Sequence, residues 1–192
     1  MQIGDNTYGG IITYLFVFGD TGYVEGEEHG FVVSSEDIVV SIWGCTGLTY
    51  ASGITIGTGY QNTLNILEKC TDMDCAARLC TNYSGGGYTD WFLPSNDEAL
   101  TFVPLSWSGI GNFMTGETVE SNDGKYYTST EVDSDKFGNA WDEKYYNIKM
   151  ALTQSMNYNS ITWNDNTQYP YWTYFGASMK DIPLSIRAIR YF

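Results

Sequence analysis

Three of the four cysteines, Cys70, Cys75 and Cys80, fall within eleven residues (70 to 80), and Cys45 precedes them across a glycine-rich stretch. An even, clustered set of this kind reads as a disulfide framework, and a bridge from Cys45 into the 70–80 segment would close a loop in the first half of the chain. Clustered thiolates also bind zinc, and buried free thiols are a third use. The single histidine, His29, lies far from the cluster in sequence, which argues against a metal site. Cys45, Cys70, Cys75 and Cys80 are therefore expected in disulfides, with Cys45 joined to one of the other three. Four cysteines allow three complete pairings, and the spacing does not choose among them. Disulfides in turn imply an oxidising environment.

A chain of 192 residues is long enough for one domain with a proper core and short for two. Nothing resembling a linker or an internal repeat interrupts it, so residues 1–192 are expected to form a single domain. Nine basic against 23 acidic residues give a formal charge of −14. That field repels phosphate backbones and anionic membranes, so nucleic-acid binding is not expected. No apolar run approaches a membrane span, and the start Met1-Gln2-Ile3-Gly4-Asp5-Asn6 has no signal-peptide pattern. The reading is then a fragment of an exported protein, or a virion protein released by lysis. Sixteen Tyr, nine Phe and six Trp exceed what a core of this size needs, which places some rings at a surface or an interface.

Along the chain, Ile11–Phe16, Gly30–Val33 and Ile38–Ile42 read as strands. Helical spacing follows at about 61–69 and 73–82, ended by Gly85-Gly86-Gly87. Ser95-Asn96-Asp97-Glu98 has the form of a capping box, opening a short helix over about 95–103 that Pro104 should stop. In the second half, Asn122-Asp123-Gly124-Lys125 reads as a hairpin turn between Thr118-Val119 and Tyr126–Thr128. Ile148, Met150 and Leu152 alternate with polar or small residues as in a half-buried strand, and Leu184–Phe192 reads as one terminal strand. Arg187 and Arg190 on that strand should point to opposite faces, at least one of them buried against a carboxylate.

Five segments in order carry a resemblance. They are Gly9–Tyr14 (GGIITY), His29–Val33 (HGFVV), Trp43-Gly44-Cys45, Gly87–Glu98 (GYTDWFLPSNDE) and Ile186–Phe192 (IRAIRYF). Together they resemble the Lcl C-terminal domain family, named for the C-terminal domain of a Legionella collagen-like protein, over essentially the whole chain. The DWFLPS run before an acidic helix start is the most specific part. The resemblance implies an α+β, C-type-lectin-like single domain with two to three short helices, a small antiparallel sheet and long loops. It also implies adhesion on bacterial surfaces or phage particles, presented in several copies, as a trimer on a fibre or a repeated virion component. Cys45, Cys70 and Cys80 fit the family pattern, and Cys75 stands outside it. The family brings no catalytic set.

The remaining chemistry is sparse. His29, in Glu27-Glu28-His29-Gly30, has no partner at a spacing that suggests nucleophilic catalysis and reads as a structural hydrogen-bonding group. A pair of carboxylates would suffice for glycoside hydrolysis, but nothing singles out a pair. Asp133–Gly138 begins like an EF-hand loop and fails at Phe137 and at Lys144, where the bidentate glutamate belongs. Trp163-Asn164-Asp165 is similar to a calcium-ligand tripeptide of sugar-binding C-type lectins but lacks its partner loop, so neither metal nor cofactor is expected. Asn82-Tyr83-Ser84 fits a glycosylation acceptor, a frequent chance match.

The expected function is a non-enzymatic, surface-binding module at a virion or cell surface. Its expected partner is a host-surface glycan or protein receptor, together with fibre or virion subunits. A purely structural virion component and a glycan hydrolase are the alternatives. The expected ligand surface lies on loops of the C-terminal half and comprises Trp141, Tyr145, Tyr146, Trp163, Asn164, Asp165, Tyr169, Tyr171, Trp172 and Tyr174. Sugar rings present C–H faces that stack on aromatic rings, and neighbouring Asn and Asp groups accept hydroxyl hydrogen bonds. About half of these residues are expected to be buried instead.

Overall fold

The β-branched and aromatic runs near the start pair as expected. The computed structural model of the chain describes residues 1–114, 124–131, 150–155 and 175–192. Within them, β1 (Asn6–Thr7), β2 (Gly10–Leu15), β3 (Gly30–Val33) and β9 (Ile189–Tyr191) form an antiparallel sheet in the order β1-β2-β3-β9. A second sheet has the order β4-β8-β5-β6-β7, from β4 (Val39–Ser41), β5 (Lys125–Glu131), β6 (Met150–Ser155), β7 (Phe175–Met179) and β8 (Leu184–Ile186). Its neighbours are antiparallel except β5 with β8, which run parallel. Four helices lie between β4 and β5: α1 (Gly59–Lys69), α2 (Ala76–Asn82), α3 (Asn96–Leu100) and α4 (Phe102–Trp107). Helices and sheets thus occupy separate stretches of chain, an α+β arrangement.

Two departures from the sequence reading have clear causes. The terminal stretch is two strands, not one, and they belong to different sheets. The break falls at Arg187-Ala188. The buried Arg187 guanidinium turns there to Asp37 Oδ1 (2.5 Å), Ser34 O (2.8 Å), Gly111 O (2.6 Å) and Asn112 O (3.0 Å), holding the crossing point. With the strand interrupted, the opposite-face argument for Arg187 and Arg190 lapses, and both are buried. The second departure is Pro104, which lies inside α4 and does not stop a helix. The 95–103 helix ends early, at Leu100, and α4 restarts after Thr101. Pro104 is the third residue of α4, where a missing N–H leaves no helical bond unmade. The capping box is present: the Glu98 amide donates to Ser95 Oγ (3.4 Å) and the Ser95 amide to Glu98 Oε2 (2.7 Å). Gly124, at the start of β5, has φ of 76° as the hairpin reading requires, but Thr118, Val119, Asn122 and Asp123 lie outside the described residues.

β2, β3, β9 and β5 are largely buried on both faces, and alternate residues feed two cores. Ile12, Val32, Trp91 and Tyr127 join Trp43, Ile66, Leu184 and Ile186 in one. Ile11, Phe31, Val33, Phe92 and Tyr126 join Phe102, Leu105, Phe113 and Ile189 in the other. Two cores use many rings, so much of the aromatic surplus is interior: Trp43, Trp91, Phe31, Phe92, Phe102, Tyr126 and Tyr127 are all fully buried. The DWFLPS motif is a structural hub. The Asp90 carboxylate accepts from Arg190 (2.6 and 2.9 Å), and Phe92 bridges to Ile189. The Leu93 amide donates to Thr63 Oγ1 (3.1 Å), and the Pro94 carbonyl accepts from the Ser129 amide (2.6 Å).

Candidate binding surfaces

β4 delivers Trp43 into the core, where its indole Nε1 donates to Thr128 O (2.8 Å) and its amide to Lys180 O (2.9 Å). Gly44 follows with φ of 144°; a Cβ there would come within 2.9 Å of Cys75 Cβ and 3.2 Å of Cys70 Sγ, so glycine is what lets the chain pass the cysteines. Cys45 is bridged to Cys70 at the end of α1, with a Cα–Cα distance of 5.4 Å. Cys75 and Cys80 are not bridged, contrary to the reading of all four as disulfide-bonded. Cys75 caps α2 with its Cβ facing Gly44, while the Cys80 thiol is directed at the Arg187 carbonyl (3.9 Å). Burial raises the pKa of both thiols, Cys80 especially, so they stay protonated and act as small core residues.

The bridge holds one side of the loop that follows, and a buried ion pair holds the other. Glu131, 4% exposed at the end of β5, pairs with Lys180, 0% exposed after β7. The carboxylate also accepts from the Thr49 amide (3.0 and 3.1 Å), the Thr49 hydroxyl (3.2 Å) and the Tyr50 amide (3.0 Å). Lys180 donates in addition to Gly47 O (2.7 Å) and lies over the Trp43 ring at 4.3 Å. Burial pulls the Lys180 pKa down, and the Glu131 hydrogen bond works against that pull.

The product of this anchoring is Tyr50. Its φ is 61°, a left-handed conformation that costs an L-residue with a side chain roughly 1–2 kcal/mol. Its amide is spent on Glu131, and its carbonyl accepts from Asn65 Nδ2 (3.0 Å) on α1. The ring itself is 68% exposed. Asn65 Oδ1 accepts in turn from Nε2 of the exposed Gln61 (2.9 Å), and Leu48, two residues before Tyr50, is exposed as well. Backbone strain of this kind persists only where the surroundings over-determine it.

A second feature is a recess of about 300 Å³ between the β2–β3 connection, the residues before α1 and the end of β9. Phe16, Val24, His29, Gly57, Tyr191 and Phe192 form most of its wall. The polar groups around it are already engaged. Tyr191 Oη donates to Glu98 Oε1 (2.8 Å), and the Gly57 amide donates to the same oxygen (2.9 Å). His29 directs Nδ1 at Phe192 O (3.1 Å) and Nε2 at Glu27 Oε2 (2.8 Å). Both partners are acceptors, so the ring satisfies both only when protonated, and these two bonds raise the His29 pKa. Burial raises the Glu98 pKa against the pull of its hydrogen bonds. His29 therefore has the structural hydrogen bonds expected of it, and it also helps to form the recess.

All ten residues of the expected ligand surface, from Trp141 to Tyr174, lie outside the described residues, as do Asp133–Gly138. The strand register shows where their segments attach. Glu131 and Met150, which flank the segment holding Trp141, Tyr145 and Tyr146, lie at one end of β6, with Met179 opposite Met150. Ser155 and Phe175, which flank the segment holding Trp163, Asn164, Asp165, Tyr169, Tyr171, Trp172 and Tyr174, lie at the opposite end, with Lys125 opposite Ser155. Six residues of β6 separate the two roots, roughly 17 Å at the strand rise. Sequence reasoning missed Tyr50, Glu131, Lys180 and the recess. A tyrosine set in a glycine-rich stretch was the one local signal for Tyr50.

Among the described residues, no group of three or more His, Cys, Asp or Glu side chains is placed to hold a metal ion, and no helix is long and apolar enough to cross a membrane. Compared with known proteins, the chain matches no family model and no curated sequence.

Proposed function

We propose that the chain is a non-enzymatic binding module of C-type-lectin-like build, serving adhesion to a host-surface glycan or protein receptor from a phage virion or bacterial surface fibre. The observation that carries this reading is Tyr50, a strained, exposed ring whose backbone is fixed by a buried carboxylate and by an α1 side chain. An aromatic face held rigid before ligand arrives loses little entropy on binding. Asn65 is spent on Tyr50 O and on Gln61, and the exposed Gln61 beyond it keeps its Oε1 for a hydroxyl of a sugar stacked on the ring. The buried charges near it are consumed in fixing backbone: Glu131 and Lys180 both point at loop amides and carbonyls, not at a cavity. The family resemblance of the GGIITY, HGFVV and DWFLPS segments supports the same assignment.

The test is a screen of the whole chain against arrayed bacterial and host glycans, followed by NMR titration of the best binder. Tyr50→Ala should weaken that binding about tenfold while changing stability by no more than about 0.5 kcal/mol, as for an exposed residue. Tyr50→Gly should bind as poorly and be as stable as the parent, or up to about 1 kcal/mol more stable, because glycine relieves the left-handed strain. Full binding by both variants, or shifts confined to other residues, would remove Tyr50 from the site.

A further inference from the structure

The recess beside His29 has a composition unlike a sugar site. Its neighbouring polar groups, the Tyr191 hydroxyl, the Gly57 amide and both His29 nitrogens, are engaged within the protein. What remains to meet a ligand is the carbon surface of Phe16, Val24, Tyr191 and Phe192, with the exposed Thr21 at the edge. Such a space selects an apolar group by shape and exclusion of water.

The apolar surface continues beyond the recess. On the same β2–β3 connection, Phe18 is 89% exposed, its ring edge-on to Tyr23 with centroids 6.0 Å apart, and Val17 and Val24 are exposed as well. Exposed apolar side chains beside a recess are the anatomy of a protein interface. The connection that borders it carries more acidic than basic groups. Glu25, Glu27 and Glu28 are all exposed on this connection, and no Lys or Arg precedes Lys69 in the sequence. Glu27 is held by His29 (2.8 Å) and Glu28 by the Met1 amine (3.4 Å), while Glu25 has no ion-pair partner among the described residues, so the connection keeps a net negative charge. Charge complementarity therefore fixes the sign of the partner at the rim, and the recess fixes what it inserts.

We propose that the recess and its acidic rim form a docking site for a segment of a partner protein that presents one bulky apolar side chain between basic residues. The inserted side chain fills the space between Phe16, Val24 and Tyr191, and Phe18 closes over its flank. Lysine or arginine on either side lies against Glu25 and Glu28. This site shares no residue with the Tyr50 face and stands whether or not that face binds glycan.

The probe is a short synthetic peptide with a central phenylalanine flanked by paired lysines, titrated into the isotope-labelled whole chain. Saturable amide shifts are expected in residues 16–29, at Gly57 and at residues 191–192. Binding should weaken with added salt, because the rim charges are exposed. A peptide with alanine in place of the phenylalanine, and the Phe18→Ser and Val24→Glu variants, should each bind at least about tenfold more weakly. Both positions are exposed, and thermal unfolding of each variant checks that the fold is kept. Equal binding of the alanine peptide, or shifts scattered over the acidic surface, would show mere charge attraction and overturn the proposal. So would absence of saturable binding, or a chain that self-associates through Phe18 and leaves the peptide unbound.

Discussion

At the residue scale, His29 joins both recess and strand, and its protonation has a defined sign. The folded chain raises its pKa above 6.5, so folding favours the protonated ring. Its stabilising contribution is complete below the unfolded value of about 6.5 and is lost as pH rises through the higher folded value. Imidazole resonances should titrate with a midpoint above 6.5, and Glu27→Gln should move it back down, since the Glu27 bond is the largest cause. A midpoint unaffected by Glu27→Gln would contradict the assignment. That His29 makes structural hydrogen bonds was legible from its isolation in the sequence. The roles of Glu131 and Lys180 were not, because the pairing spans 49 residues and each charge, read locally, belongs on a solvated surface.

Elements were legible where the signal is local. Ser95 and Glu98 specify a helix start within four residues, and the structure has both reciprocal bonds. Ser95→Ala should cost about 1–2 kcal/mol by denaturant unfolding, at the upper end of cap losses because Ser95 Oγ also donates to Thr55 O (3.0 Å). A loss below about 0.5 kcal/mol would mean that the cap contributes little more than an exposed polar group. Strand limits failed where the cause was distant. Nothing in Leu184–Phe192 announces a break at Arg187, since Asp37, Ser34, Gly111 and Asn112 that receive its guanidinium lie in other parts of the chain. Pro104 misled for the opposite reason: its meaning depends on its position within a helix, and the break at Thr101 reset that position.

For the whole molecule, the Cys45–Cys70 bridge closes a loop of 25 residues that begins beside Trp43 and ends at the last turn of α1. The chain-entropy relation puts its contribution at about 3.5 kcal/mol. Reduction, or Cys45→Ala with Cys70→Ala, should lower stability by about that amount, whereas Cys75→Ala should act only as a buried small-residue change. Non-reducing mass spectrometry should find one bridge and two thiols; a second bridge would contradict the structure. That Cys45 joins the 70–80 segment was readable from clustering, but the choice of Cys70 depended on where α1 ends and α2 begins. The expected ligand surface lies outside the described residues; the register of β5, β6 and β7 shows only that the residues flanking its two segments lie at opposite ends of β6.

The last two strands bear on the order in which such a chain can become folded. β8 sits between β4 and β5, and β9 completes the other sheet against β3. Everything ahead of Leu184 thus lacks the strand that joins β4 to the second sheet and the strand that covers one edge of β3. These contacts join residues far apart in sequence, so most of the loop-closure entropy is spent before they are gained. A nascent chain would hold both sheets unfinished until Leu184–Tyr191 had been added, and assembly would then proceed in both together, with Arg187 at the seam.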